Sequence, residues 1–243
     1  MNTALRAHPA GPAAALSGQG HHASREFMHH CRRRARVLER GTDLVGEGHD
    51  APGAVWVLSG RVALRKTLDD GRGIVFDLIF PIDMIEPATA DMCSSGFEMT
   101  AAETCVVALF THEEAKRLQA DFLGLARIVG LLQAAGRARR AERMLRVVQG
   151  RAEERIAFLI LELALRMNRA AVLAGAPFSL RLSQRMVGEL TGLSNVHVCR
   201  VMTRLSERGV LSAPRGRIDV RDTSALSDLA RISPQALARA ILV

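Results

Sequence analysis

Between about residues 35 and 110, apolar residues come in short runs broken by Gly, Asp and Pro: VLERG, DLVGEG, AVWVLSG, RVALRKTLDDG, IVFDLIF, EMTAAE and CVVALF. Runs this short, rich in β-branched residues and bounded by turn formers, predict strands rather than helices. The DDGRG segment between RVALRKTL and IVFDLIF has the composition of a hairpin turn, and Gly41, Gly48, Gly53 and Gly60 fall where the corners of a small barrel need them. An antiparallel β-roll of about eight strands is the expected result. After Thr111 the period becomes helical, first in THEEAKRLQ and then along a stretch from about Asp121 to Gln149, whose stripe is Leu125, Ile128, Leu132, Ala135, Met144 and Val148. That stripe is longer than one small domain needs. A partner helix in a homodimer covers it economically, with Leu125, Ile128, Leu132 and Ala135 as the expected interface and Ala134, Gly136 and Ala138 allowing close approach. The alternative is a helix packed only on its own roll. A further helix, AEERIAFLILELALRM, follows.

Residues 182 to 221 are the most informative stretch. Ser183 has the chemistry of an N-cap, and Met186, Val187 and Leu190 share one helical face before Thr191 and Gly192 break the pattern. Leu193 fills the gap between two short helices. Ser194 caps the second, whose apolar positions Val198, Val201, Met202 and Leu205 recur at helical spacing until Gly209. Asn195, Val196, His197, Arg200 and Arg204 are left on the outer face, and Ser183 and Gln184 stand at the start of the first helix. Beyond lies a two-stranded wing with Arg215 and Arg217 flanking a glycine. Side chains at the start of an exposed helix can reach base edges in a major groove, and wing arginines can reach phosphates. Arg200 is the leading candidate for a base contact. The segment contains no Phe, Tyr or Trp, so it has no platform on which single-stranded bases could stack. Double-stranded DNA is therefore the expected partner, against the plainer reading of a helical pair that packs or binds protein.

Length and charge agree with this. At 243 residues the chain suits two domains better than one. A formal net charge of +8 points to a polyanion but does not separate nucleic acid from a membrane surface. No apolar run approaches the roughly 20 residues of a membrane span, and the start LRAHPAGPAAAL is interrupted by Pro and Gly, so a cytoplasmic protein with no membrane association is expected. Cys31, Cys93, Cys105 and Cys199 are widely spread, which indicates neither a disulfide framework nor a structural zinc site. The reading is an α+β chain: a disordered tail at 1–24, a β-roll at 25–120, a dimerisation helix at 121–149 and a winged helix-turn-helix at 150–243.

In this order of elements the chain resembles the Crp/Fnr superfamily of bacterial transcription regulators. The segments that carry the resemblance are VWVLSGRVAL and LIFPIDMIE in the roll, ERIAFLILELA, and LSQRMVGELTGLSNVHVCRVMTRLSERGVL with RGRIDVRD. The resemblance implies a homodimer on a pseudo-palindromic operator, with Arg200 at the family's base-reading arginine and a surface for RNA polymerase in members that activate. Many members carry a Glu where this chain has Val196, and a Ser or Gly where it has Cys199. A carboxylate accepts from cytosine N4, whereas a valine offers only apolar contact, for instance to a thymine methyl.

The signal is less legible. Nucleotide-binding members have a Gly-Glu pair and an Arg-Ser or Arg-Thr pair in the roll, and both are missing here. After FPIDMI comes Glu86-Pro87, and between Gly73 and Ala115 there is no Lys or Arg, while Asp77, Asp83, Glu86, Asp91, Glu98 and Glu103 are present. An anionic ligand needs donors or positive charge, so a cyclic nucleotide in the usual pocket is not expected. A four-thiolate iron–sulfur cluster is also unpromising, because only Cys31 lies near the N-terminus. No cofactor is expected, although His21, His22, His29, His30 and Cys31 form a dense set of candidate haem ligands whose alternative is a flexible histidine-rich tail. Met84, Met92 and Met99 read as core. Cys199 is a candidate redox switch, since the start of a helix and nearby arginines favour thiolate, and its alternative is a small residue packed beneath the helix. A cupin-like metal enzyme is the rival of another class, but His49 and His112 are the only histidines between His30 and His197, and no catalytic constellation or metal site stands out.

Overall fold

The computed structural model describes residues 21–81, 83–87, 94–122, 124–214 and 216–241. They fall into two compact units divided between Ala134 and Ala135. The first contains α1 (His21–Arg33), β1 (Ala35–Leu38), β2 (Asp43–Val45), β3 (Ala54–Ser59), β4 (Val62–Thr67), β5 (Gly73–Ile79), β6 (Met84–Ile85), β7 (Glu98–Ala101), β8 (Cys105–Phe110) and α2 (His112–Asp121). Helix α3 (Leu125–Gln149) crosses the division. The second unit continues with α4 (Ala152–Leu173), β9 (Phe178–Arg181), α5 (Gln184–Thr191), α6 (Asn195–Glu207), β10 (Leu211–Ser212), β11 (Arg217–Val220), α7 (Thr223–Ala230) and α8 (Pro234–Ile241). The division inside α3 differs from the expected boundaries at its two ends.

The roll is two four-stranded antiparallel sheets, ordered β1-β8-β3-β6 and β2-β7-β4-β5. Alternation puts Val55, Val57, Val62, Leu64, Met99 and Val107 between the sheets, in one apolar cluster. The opposite face of the first sheet, with Trp56, Ala108 and Phe110, is covered by Phe27 and Cys31 of α1, Ala115 of α2 and Leu125 and Val129 of α3. Trp56 and Phe27 meet edge to face at 4.7 Å. The expected hairpin joins β4 to β5, with the Leu68 N–H donating to the Arg72 carbonyl at 2.8 Å and Gly71 at φ 82°. Gly53 is required for a different reason: a Cβ there would lie 2.3 Å from the His112 Cα, so only glycine lets β3 begin beside α2.

Several expectations need correction. Helix α1 begins at His21, so positions 21–24 are helical rather than part of an irregular tail, and the rest of that tail lies outside the described residues. The long helix starts at Leu125, because Gly124 at φ 94° separates it from α2. Leu125 is already covered within the chain: it is 6% exposed in the cluster beneath the roll, and Leu132 packs against the same cluster. Ala135 is also buried and Ile128 is half-buried. Positions 125, 129 and 132 repeat at i, i+4 and i+7, which places them on the one face taken by the chain's own first unit. The exposed face of α3 is a neighbouring stripe, with Leu131, Leu145 and Val148 at 41%, 52% and 65% exposure. Ala134 and Ala141 are exposed on the same heptad row and Ala138 is half-buried.

The second unit is organised by α4, whose run from Ile156 to Leu165 is buried throughout. Glu162 sits inside that run at 0% exposure, within reach of three buried arginines. Arg143 Nη2 donates to its Oε2 at 2.5 Å, Arg166 Nη1 lies 3.4 Å from Oε1, and Arg139 Nε lies 4.0 Å from Oε1. These side chains tie the C-terminal half of α3 to α4.

Candidate nucleic-acid interface

Helices α5 and α6 form the expected tight pair. The Ser183 hydroxyl accepts from the Met186 N–H at 3.2 Å, and the Ser194 hydroxyl accepts from the His197 N–H at 3.3 Å, so both serines cap their helices while each keeps its O–H as a donor. Gly192 adopts φ 68°, which lets α5 end in a left-handed turn, and Gly188 lies so close to the loop that an added Cβ would be 2.7 Å from the Leu193 carbonyl oxygen. Val198, Val201, Met202 and Leu205 are all buried. Burying that stripe fixes the rotation of α6, and the opposite face is what remains. Asn195, Val196, His197, Cys199, Arg200, Thr203 and Arg204 are exposed.

The charged groups of this face are not equivalent. Arg204 Nη1 lies 3.2 Å from Glu153 Oε1 of α4, and Arg208 Nη1 lies 3.4 Å from Glu153 Oε2. Arg204 therefore anchors α6, and any phosphate contact it makes competes with that ion pair, which the sequence does not reveal. Arg185 pairs with Glu189 at 3.1 Å within α5. Arg200 takes part in no ion pair among the described residues, and its guanidinium is the one on α5 and α6 left uncommitted. With Gln184, Arg185, Asn195, Val196 and Cys199 it lines a shallow concavity of about 640 Å³.

The wing is larger than expected. Strand β9 adds a third strand to the β10–β11 pair, in the order β10-β11-β9, and sets Arg217 directly opposite Arg181. Like charges facing across a strand pair are unfavourable without a counterion. Part of the compensation is Asp219, which receives Arg217 Nη2 at 2.8 Å. Asp219 is held below the usual carboxylate range first by the Ser179 hydroxyl that donates to it and then by Arg217. Arg181 and Arg185 were not singled out by sequence reasoning, although the density of arginine around the two helices is the signal that leads to them. Arg215 lies outside the described residues.

Cys199 is exposed on the rim of the concavity, which rules out the expectation of a residue packed beneath the helix. Cys31 and Cys105 are different. Both are fully buried, and burial pushes the Cys31 thiol up to about 12 and, with Glu103 nearby, the Cys105 thiol up to about 11. A buried protonated thiol is inert toward oxidants and alkylating reagents. His29 and His30 are exposed, His30 against the Phe122 ring at 5.6 Å. The side chains of His21 and His22, and all of Asp91, Met92 and Cys93, lie outside the described residues. Among the described residues no group of three His, Cys, Asp or Glu side chains is placed to hold a metal ion.

Among the described acidic residues of the roll, Asp77, Asp83, Glu86 and Glu103 are each engaged by neighbours. Asp77 is fully buried and accepts from the Leu78 N–H. Asp83 accepts from the Phe80 N–H, and Glu103 receives Arg61 through two bonds of 2.8 and 2.7 Å. Glu86 accepts from the side-chain amides of Gln119 and Gln133.

A β-roll unit and a second unit that presents a capped, exposed helix beside a basic wing define a DNA-binding transcription regulator of the winged helix-turn-helix class. Comparison with known proteins agrees: residues 154–229 match the Crp-like helix-turn-helix domain. The chain is 26% identical to the transcriptional activator protein Anr of Pseudomonas aeruginosa over 198 residues, which is 82% of this chain and 81% of that protein. It is also 26% identical to the nitrogen fixation regulation protein FixK of Azorhizobium caulinodans, over 79% of this chain and 77% of that protein. The solved structure of FixK2 from Bradyrhizobium japonicum superposes with a TM-score of 0.69 at 25% identity, over 80% of this chain and 96% of that one. Residues 154–229 thus match a Crp-like helix-turn-helix domain, and over most of its length the chain is similar to regulators of the Crp/Fnr superfamily. No single described helix is long and apolar enough to cross a membrane.

Proposed function

We propose that the protein acts in the cytoplasm as a homodimer on a pseudo-palindromic operator, with one α6 in each of two successive major grooves, and that it does so without a cyclic nucleotide in its roll. The observation that carries the reading is the exposed start of α6, where Asn195, Val196, His197 and the uncommitted Arg200 stand together above a buried stripe. In this reading Arg200 forks onto a guanine. Gln184, Arg204, Arg217 and Arg215 serve phosphates, and the caps Ser183 and Ser194 hold their helices at the backbone. The dimer is supported by the heptad row Leu131, Ala134, Ala138, Ala141, Leu145 and Val148, three of whose members are large apolar side chains exposed in the single chain. Residues 25–120 are the sensor-like part, and contact with RNA polymerase follows where the regulator activates.

Independence from cyclic nucleotide is supported by the lack of any Lys or Arg between Gly73 and Ala115 and by carboxylates already engaged within the roll. Cys199, exposed beside Arg200, is the residue through which peroxide would act on DNA binding. The test is fluorescence anisotropy on a selected duplex and a scrambled one. Arg200→Ala should lose about 1 to 3 kcal/mol on the selected duplex and little on the scrambled one, because a base contact carries the discrimination. Equal losses on both duplexes would contradict a base-reading role.

A further inference from the structure

We propose that the start of α6 reads the C5-methyl group of a pyrimidine, so that the protein separates thymine from uracil, and 5-methylcytosine from cytosine, at one position of each half-site. The inference rests on the DNA reading above and deepens it. Val196 is 61% exposed, and within 150–241 it is the only large hydrophobic side chain exposed among the described residues. Every other apolar residue of α6 is buried: Val198, Val201 and Leu205 at 0% and Met202 at 2%. Val196 therefore adds nothing to the packing that holds the helix, and as a β-branched residue it is not there for helix propensity. Its neighbours at i+3 and i+4 are Cys199 and Arg200, both exposed, so the three side chains share one side of the helix. They line the same concavity together with Gln184, Arg185 and Asn195.

Among the residues that line that concavity, Val196 and Cys199 contribute an isopropyl group and a thiol, neither of which is a strong donor or acceptor. In the major groove nearly every base-edge position carries a hydrogen-bonding group that would lose water against these two groups. The exception is C5 of a pyrimidine, a methyl group in thymine and a C–H in cytosine. The isopropyl group of Val196 beside the Cys199 thiol is complementary to the methyl. The Arg200 guanidinium, one turn further on, presents a fork to a guanine nearby, so the geometry points to a methylated pyrimidine read next to a guanine. Because the discrimination is burial of a single methyl, it has a small and definite size of about fourfold per half-site. The two half-sites of a dimer multiply this to roughly fifteenfold. Cytosine methylation at that position would then tighten binding by the same factor.

The test uses the whole 243-residue sequence. Duplexes are selected from a randomised pool, each thymine of the selected site is replaced singly by deoxyuridine, and the affected position is then filled with cytosine or 5-methylcytosine. One thymine per half-site should show about a fourfold loss as deoxyuridine, and 5-methylcytosine should recover the same factor over cytosine. Val196→Ala, a change on an exposed surface, should abolish the deoxyuridine effect at that position while keeping the preference for guanine. Tolerance of deoxyuridine at every thymine, or a methyl effect that survives in Val196→Ala, would overturn methyl reading while leaving the DNA reading in place. No enriched duplex at all would overturn both.

Discussion

Replacing Glu162 is the sharpest test of how the second unit is held together. The carboxylate is fully buried, and the arginine side chains around it are 6%, 6% and 4% exposed. At an effective dielectric of 20, a unit pair 4 Å apart attracts by about 4 kcal/mol, and the Arg143 and Arg166 contacts are shorter than that. Much of this is offset by the cost of taking the charges out of water, so the attraction is not the net stabilisation. Removing the carboxylate alone is another matter, because the desolvated guanidiniums remain and repel one another. Loss of one partner from a buried pair costs about 3 to 5 kcal/mol, and Glu162→Ala adds a cavity on α4. Urea unfolding followed by circular dichroism should therefore show Glu162→Ala less stable by at least about 3 kcal/mol. That corresponds to a fall in Tm on the order of 10 °C. Glu162→Gln, which keeps the shape but not the charge, should be destabilised by a large part of the same amount. If Glu162→Gln unfolds within about 0.5 kcal/mol of the wild type, the range of an ordinary surface substitution, the buried charge is not what ties α3 to α4, and the reasoning fails.

Other consequences are more local. Val196→Glu should redirect base preference toward a site with cytosine opposite the carboxylate rather than abolish binding, and an unchanged preference in a randomised-site selection would refute the placement of Val196 on the bases. In native protein iodoacetamide should label Cys199 readily, and Cys31 and Cys105 only after unfolding, as read by mass spectrometry of tryptic peptides; peroxide should weaken operator binding by the wild type but not by Cys199→Ser. Glu154 is held below its ordinary value near 4.5, first by the Arg151 N–H and then by Arg231. Its stabilising effect is thus present above about pH 4.5 and is lost as the pH falls through the lowered folded value, so Glu154→Gln should be less stable than wild type at pH 6 and approach it at pH 3, measured by urea midpoints. Leu145→Glu, on the exposed row of α3, should convert a dimer to monomer in sedimentation velocity, whereas a variant that still sediments as a dimer would remove that row from the interface.

The helix pair was legible in the sequence to the residue. Ser183, Gly192 and Ser194 act through their own backbone, and the period of Val198, Val201, Met202 and Leu205 orients α6 without help from distant contacts. The strands of the roll were legible for the same reason, as was the hairpin before β5. What failed was what depends on partners far along the chain. The stripe Leu125, Ile128, Leu132 is apolar whether it meets a second copy or the chain's own roll, and only the fold decides that α1, α2 and the first sheet take Leu125 and Leu132. Arg204 looks like Arg200 until Glu153 arrives from α4. Strand β9 is a four-residue FSLR segment, too short to declare itself before the wing is there to pair with it. Glu162 did carry a signal, a lone carboxylate inside the apolar run IAFLILELALRM, but its arginines lie on another helix.

The most direct measurement of the DNA-reading account is protection of guanine N7 from dimethyl sulfate on a selected operator, because N7 faces the major groove and is the atom Arg200 would cover. The account predicts two protected guanines about 10 base pairs apart, related by a two-fold axis, and loss of both protections in Arg200→Ala. Binding with N7 unprotected in both half-sites, or with protection unchanged in Arg200→Ala, would contradict it.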